Sequence, residues 1–311
     1  APGSSFKPLA VYAPAIEFGL ITPSTLVNDA PREEVEMSQN QWYPNNSDFK
    51  YRGIIDIATG VRLSLNTVAA VLDKLGLDAS TNFLKNKLGI TSLVPDDYNY
   101  ASLALGELTN GISVLEMAQA YCTFDNSGIF TEARTYSRVT DAAGNLILDN
   151  QAKTHVAMKS STATNITSLL FSAANYGTGS ESIFSGQAIA GKTGTSSYNW
   201  NRWFAGYTPY YVGVVWTGFD QPEQINIYGN PAAQVWRRVM QQVHAGLEYK
   251  SFPAADWIGG DTQIFGDLTT PTPTPTPTET PTPSASDTPD ATLPPDDGED
   301  IIPTEPVDEA A

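Results

Sequence analysis

Gly191-Lys192-Thr193-Gly194-Thr195 puts one lysine, two hydroxyls and a side-chain-free position within five residues. Read as a strand, its two-residue period sends Thr193 and Thr195 to one face and Lys192 to the other. Gly194 lets a second backbone approach closely. Cationic and hydroxyl donors along one edge suit the anionic end of a peptide. Near the start, Ser4 and Lys7 lie three residues apart and share a helix face. A serine hydroxyl is a weak nucleophile that needs a neighbouring base. Lysine can be that base when burial or a second cation brings its pKa down from ~10.4. The N-terminus of a helix adds free N–H groups for a developing oxyanion. A third group, Ser64-Leu65-Asn66, opens an apolar helical stretch. Taken alone, none of the three is specific. Ser-x-x-Lys recurs at Ser47–Lys50, in a polar stretch that reads as a solvated loop, and Ser-x-Asn recurs at Ser38, Ser80 and Ser197. By itself Ser64 reads as the N-cap of the helix that follows.

The elements that must hold these residues follow from periodicity and turn signals. Ser4 to Gly19 reads as a helix with Pro8 in its first turn. Thr22 to Gly53 looks irregular, and Ile54 to Gly76 looks helical. Ser80 to Gly89, Ser113 to Phe124, Ser160 to Ala174 and Pro231 to Leu247 read as further helices. Tyr136 to Val139 and Leu146 to Leu148 flank a turn and read as a hairpin. Ile183 to Ala190 leads into a strand, Ser196 to Arg202 reads as a loop, and Trp203 to Thr208 and Tyr211 to Thr217 read as strands. Cys122 is expected as a small buried core residue.

The 311 residues carry a net charge of −17, but 11 of the acids fall between Asp267 and the end, where there is no Lys or Arg. That distribution lacks the basic patch that nucleic acid requires. One cysteine permits no disulfide within the chain, and the spacing of Cys and His suggests no metal cluster. No apolar run approaches the ~20 residues of a membrane span. Pro271 to Thr278 alternates Pro and Thr, and the segment 268–311 is expected to be extended and disordered.

In their order along the chain, Ser4-Ser5-Phe6-Lys7, Ser64-Leu65-Asn66 and Lys192-Thr193-Gly194-Thr195 resemble the S-x-x-K, S-x-N and K-T-G set of penicillin-binding proteins and serine β-lactamases. Pro2–Pro8, Tyr51-Arg52-Gly53, Leu115–Tyr121, Tyr176-Gly177-Thr178-Gly179 and Trp203–Pro209 resemble, more narrowly, the transpeptidase domain of class A, bifunctional penicillin-binding proteins. The resemblance covers residues 1–250, with 251–267 read as a linker and 268–311 as the tail. It implies an α/β (α+β) fold in which an antiparallel sheet is flanked by helices. It also implies a serine acyl-enzyme mechanism that needs no cofactor. Ser4 would attack the penultimate D-Ala carbonyl of a peptidoglycan stem peptide, and Lys7 would take its proton. Ser64 and Lys192 would relay a proton to the leaving D-Ala. Asn66 would bind the substrate backbone and hold Lys7. Thr193 and Thr195 would grip the terminal carboxylate, with Gly194 between them, and the N–H groups of Ser4 and Thr195 would form the oxyanion hole. Partners implied are stem peptides ending in D-Ala-D-Ala, β-lactams as inhibitors and a cell-wall synthesis complex. The setting implied is the extracytoplasmic face of a bacterial membrane, with an anchor outside this chain.

In that family two strands and a glycosyltransferase domain precede the nucleophile helix. The chain is therefore expected to be an N-terminal truncation whose last strand, Tyr211 to Thr217, has an open edge, and which folds poorly alone. Alternative activities are a serine β-lactamase, a DD-carboxypeptidase and a catalytically silent sensor module. Class A β-lactamases need a deacylating glutamate in an omega loop, and Glu107, Glu116 and Glu132 do not lie in such a context.

Overall fold

The computed structural model describes residues 1–31 and 43–255, with the backbone of 264–265. Pro8 and Pro14 have no amide hydrogen to donate, and the opening helical run is correspondingly irregular. It passes from a 3-10 turn, Gly3–Phe6, through a π segment, Pro8–Tyr12, into α1, Ala13–Glu17. Phe6, Leu9, Val11 and Tyr12 are all buried, so this run lies at the centre of the main core.

Strand β1, Leu26–Asp29, lies in the stretch expected to be irregular and pairs antiparallel with β2, Gly53–Asp56. The backbone of Ile264–Phe265 pairs in parallel with β1. The helix expected from Ile54 to Gly76 is divided. Ile54 to Asp56 belong to β2, because Asp56 is extended and its carboxylate accepts the Thr59 N–H at 2.7 Å, capping α2, Ile57–Leu63. Ser64 then takes a left-handed conformation (φ 60°, ψ 34°) and ends α2, so it is a C-cap and not the expected N-cap. A 3-10 turn, Thr67–Ala70, leads into α3, Val71–Leu75, and α4, Leu77–Asn82.

Further along are α5, Tyr100–Leu105, and α6, Val114–Asp125. Ser113 and Glu116 begin α6 as a reciprocal capping box. Strands β3, Ile129–Thr131, and β6, Thr154–Val156, pair around the expected hairpin of β4, Arg138–Thr140, and β5, Leu146–Asp149. Cys122 is partly exposed rather than buried, since it sits off the inner stripe formed by Met117, Ala120, Tyr121 and Phe124.

Helix α7, Ser160–Tyr176, precedes the antiparallel sheet β7-β8-β9: Ala190–Thr195, Asn201–Tyr207 and Val212–Gly218. The first strand starts where Ile183–Ala190 was expected to end. Period-two alternation divides the sheet between two cores. Ala190, Trp203, Ala205 and Tyr207 join the main core with α6 and α7. Phe204 and Ile189 face the opposite layer, where α8, Pro231–Val243, contributes Trp236 and Met240. This is the expected antiparallel sheet flanked by helices. Among the described residues no strand pairs with the outer edge of β9. The linker beyond residue 255 and the tail 268–311 lie outside the described residues, apart from that backbone pair.

Candidate active site

The turn carrying Ser4 is clamped from three sides. The Gly3 N–H donates to the Gly106 carbonyl at 3.0 Å. The Tyr121 hydroxyl donates to the Ser5 carbonyl at 2.7 Å, and Ser5 Oγ donates to the Pro2 carbonyl at 2.7 Å. On the third side β7 lies flat on the turn. A Cβ at Gly194 would collide with the Pro2 carbonyl and Ser5 Oγ, and a Cβ at Gly3 (φ +54°) with the Thr195 carbonyl. Gly194 therefore performs the close approach expected of it. Ser5 and Phe6 are buried while Ser4 stays partly exposed and lines a cleft of about 790 Å³.

Two lysines converge behind that cleft. Both are fully buried. Lys7 Nζ donates to the Ser64 and Leu65 carbonyls, each at 3.1 Å, and to Asn66 Oδ1 at 2.7 Å. Lys192 Nζ donates to Ser64 Oγ at 2.7 Å and to the Thr193 carbonyl at 3.2 Å. The left-handed turn at Ser64 makes both contacts possible, turning its carbonyl to one lysine and its hydroxyl to the other. Burial lowers the Lys7 pKa well below its ordinary value, and the Lys192 charge lowers it further. Burial alone brings Lys192 down to about 7. Three acceptors around Lys7 favour its ammonium form, but two like charges in one dry site oppose each other, and proton loss relieves both costs.

Asn66 is positioned by residues that motif reading missed. Asn46 Oδ1 accepts the Asn66 N–H at 2.9 Å and the Thr67 N–H at 3.3 Å. Its Nδ2 donates to Asp29 Oδ1 at 2.6 Å, and Thr67 Oγ1 donates to the same oxygen at 2.7 Å. Asp29 Oδ2 accepts the Arg52 N–H at 3.0 Å, with the guanidinium 3.5 Å away. Asp29 is fully buried at the end of β1. A chain of hydrogen bonds therefore runs from Asp29 through Asn46 and Asn66 to Lys7. Asp29-Ala30-Pro31 and Tyr43-Pro44-Asn45-Asn46 read in sequence only as turns.

Thr193 and Thr195 point away from Lys192, as alternation requires. Thr193 Oγ1 donates to Thr178 Oγ1 at 2.9 Å, from the Gly-rich loop after α7. Thr195 faces Arg202 across the β7–β8 ladder, and Arg202 Nη1 donates to Thr195 Oγ1 at 3.1 Å. Arg202 Nε is buried without a hydrogen-bond partner while the residue lines the cleft. In sequence Arg202 reads as loop because turn-forming Ser196 to Asn201 precede it, yet β8 already begins at Asn201. Ser4, Ser64, Asn66, Thr193 and Thr195 line one cleft, with Lys7 and Lys192 beneath it. The second Ser-x-x-Lys stays on the exposed loop, with Ser47 at the cleft's rim.

A clamped serine lining the cleft, two buried lysines that meet at Ser64 of the same cleft, and hydroxyls and an arginine along a neighbouring strand make an arrangement suited to acyl transfer from a carboxylate-ended substrate. Residues 1–241 match the family described as penicillin binding protein transpeptidase domain, and the chain belongs to that family. Penicillin-binding protein 1A of Clostridium acetobutylicum is 38% identical over 269 residues, covering 84% of this chain and 33% of that protein. Penicillin-binding protein 1F of Bacillus subtilis is 35% identical over 230 residues, covering 72% of this chain and 31% of the other. The chain thus spans about a third of the length of the curated relatives it matches. In fold it is similar to penicillin-binding protein PonA1 from Mycobacterium tuberculosis (TM-score 0.69, 24% identity, 90% of this chain and 77% of that one). It is also similar to penicillin-binding protein 1A from Haemophilus influenzae (TM-score 0.67, 24% identity, 82% of this chain and 44% of that one).

Proposed function

We propose that the chain is a serine DD-transpeptidase that cross-links peptidoglycan stem peptides ending in D-Ala-D-Ala and is trapped by penicillins. The observation that carries this reading is the pair of buried lysines meeting at Ser64, 2.7 Å from Lys192 Nζ, beside the cleft that Ser4 lines. Ser4 Oγ attacks the penultimate D-Ala carbonyl, and a neutral Lys7 takes the hydroxyl proton. Ser64 delivers a proton from Lys192 to the departing D-Ala amine. The N–H groups of Ser4 and Thr195 take up the oxyanion, at a typical ~3–4 kcal/mol per donor. Thr193, Thr195 and Arg202 receive the terminal carboxylate. An amine from a second stem then bonds to the acyl carbon, the ester to Ser4 breaks, and Ser4 Oγ regains a proton.

A solved structure of PonA1 from Mycobacterium tuberculosis in complex with penicillin V supports the β-lactam part of this reading by analogy of fold. The transpeptidase unit is assigned to residues 1–250, 251–267 to a linker and 268–311 to an acidic tail. The protein works outside the bacterial cytoplasmic membrane within a cell-wall synthesis complex. Glycosyltransferase activity, where the whole protein has it, belongs to residues outside this chain. The test is incubation with a D-Ala-D-Ala stem peptide and an amine acceptor. Mass spectrometry is expected to find released D-Ala and a cross-linked product, both lost in Ser4→Ala. Release of D-Ala with water as the only acceptor would make the protein a carboxypeptidase. Full activity in Ser4→Ala would remove Ser4 from the mechanism.

A further inference from the structure

Two glutamates line the cleft, Glu107 and Glu181. Glu181 is engaged at the start of α8, where its Oε2 accepts the Asn230 N–H at 2.6 Å and the Gln234 side-chain amide at 3.4 Å. Glu107 is held differently, by Ser197 alone among the hydrogen bonds of the described residues. It follows Gly106, the residue bonded to Gly3, so it is carried to the edge of the turn that holds Ser4. From there Oε1 accepts the Ser197 N–H at 2.9 Å, two residues beyond Thr195. Its carboxylate joins the Gly106 wall of the cleft to the end of β7.

Among the described residues no lysine or arginine side chain pairs with Glu107. Ser197 is its hydrogen-bond partner, and burial raises its pKa, an effect that Ser197 and the chain's first amino group oppose. A carboxylate offers about four acceptor sites, so bonds from Ser197 leave room for another donor. Its countercharge is the chain's first amino group, with no side-chain cation bonded to it, so a half-buried carboxylate there gains from a further cationic donor. The transfer reaction brings groups of opposite charge to this cleft. The donor's carboxylate is matched by Thr193, Thr195 and Arg202, whereas the acceptor brings a primary ammonium.

We propose that Glu107 is the binding group for that ammonium and holds the acceptor amine at the acylated Ser4. The inference rests on the acyl-enzyme reading above. The bound ammonium gives one proton to solvent. The amine nitrogen then bonds to the acyl carbon as the bond to Ser4 Oγ breaks, and a second amine proton goes to that oxygen. Fixing the nitrogen near the carbonyl favours transfer over hydrolysis by proximity.

Glu107→Gln separates charge from structure, because a carboxamide oxygen still accepts the Ser197 N–H. The reaction runs with a D-Ala-D-Ala stem peptide and a primary alkylammonium acceptor, and cross-linked and hydrolysed products are counted. The substitution is expected to lower the ratio of transfer to hydrolysis about tenfold, the value of a charge-assisted hydrogen bond, while Ser4 acylation by penicillin persists. With hydroxylamine, which is uncharged at neutral pH, the ratio should stay within about twofold. An unchanged ratio with the ammonium acceptor overturns the proposal. Slower hydrolysis at the same ratio would make Glu107 a water-activating base and overturns it as well. Failure of the unsubstituted protein to acylate Ser4 would instead remove the mechanism on which the proposal stands. A measurement without substitution serves if Glu107→Gln fails to fold: the alkylammonium acceptor should saturate at about tenfold lower concentration than hydroxylamine, and equal saturation counts against the proposal.

Discussion

In the proposed mechanism Lys7 is the base and Lys192 the proton donor. Each is fully buried and each has a lowered pKa. Acylation needs a neutral Lys7 and a protonated Lys192, so its rate should rise with pH as Lys7, lowered well below its ordinary value, loses its proton, and fall as Lys192, brought down to about 7, loses the one it delivers. Because the sites interact, both limbs belong to the pair. Stopped-flow acylation between pH 5 and 9 measures both, and a flat profile would contradict the neutral-base mechanism. Lys7→Arg should slow acylation by about 10²–10⁴-fold, the usual contribution of a general base, because guanidinium does not deprotonate. Both lysines were legible from their motifs. Arg202 and Asp29 were not, because one follows a run of turn formers and the other ends a short strand, and neither spacing signals a partner distant in the chain.

At the scale of elements, β7 does two jobs through one alternation. Gly194 lies against the Ser4 turn and Lys192 reaches Ser64, while Thr193 and Thr195 face the cleft. That division was readable from a period of two. Ser64 was not, because its left-handed turn is fixed by the end of α2 and two lysines from other elements, whereas its local sequence favours a cap for the following helix. Arg202, paired with Thr195 from β8, is expected to hold the substrate carboxylate. Arg202→Ala should raise the apparent dissociation constant of a carboxylate-bearing β-lactam about tenfold, the loss of one hydrogen bond to a charged group. Competition with a fluorescent penicillin reads this, and unchanged affinity would leave the carboxylate to Thr193 and Thr195.

At the scale of the molecule, the site is paid for in stability. A lysine whose folded pKa is depressed holds fewer protons folded than unfolded between its two pKa values. The cost of burying the Lys192 charge is therefore full below about pH 7 and is relieved as pH rises towards 10.5. Lys192→Met should abolish acylation yet leave the fold as stable or more stable near pH 7, by up to about 4 kcal/mol. That difference should shrink towards pH 10 in thermal melts, and a gap that widens with pH would contradict the sign. Asp29→Asn should act oppositely. It removes a buried charge that accepts from Asn46, Thr67 and Arg52, and is expected to cost about 3–5 kcal/mol. The layered architecture was foreseeable from the family resemblance that the motif order carries. Strands β1, β3 and β6 were not, because they are three or four residues long and their pairing is set by distant segments.

The central claim is that Ser4 is the nucleophile these elements are arranged to serve. Incubating the protein with a penicillin and mapping the adduct by peptide mass spectrometry tests it most directly. The account predicts one slowly decaying acyl group per chain, on the peptide containing Ser4, absent in Ser4→Ala and strongly reduced in Lys7→Arg. An adduct on another serine, or none from a protein that melts cooperatively, would contradict it.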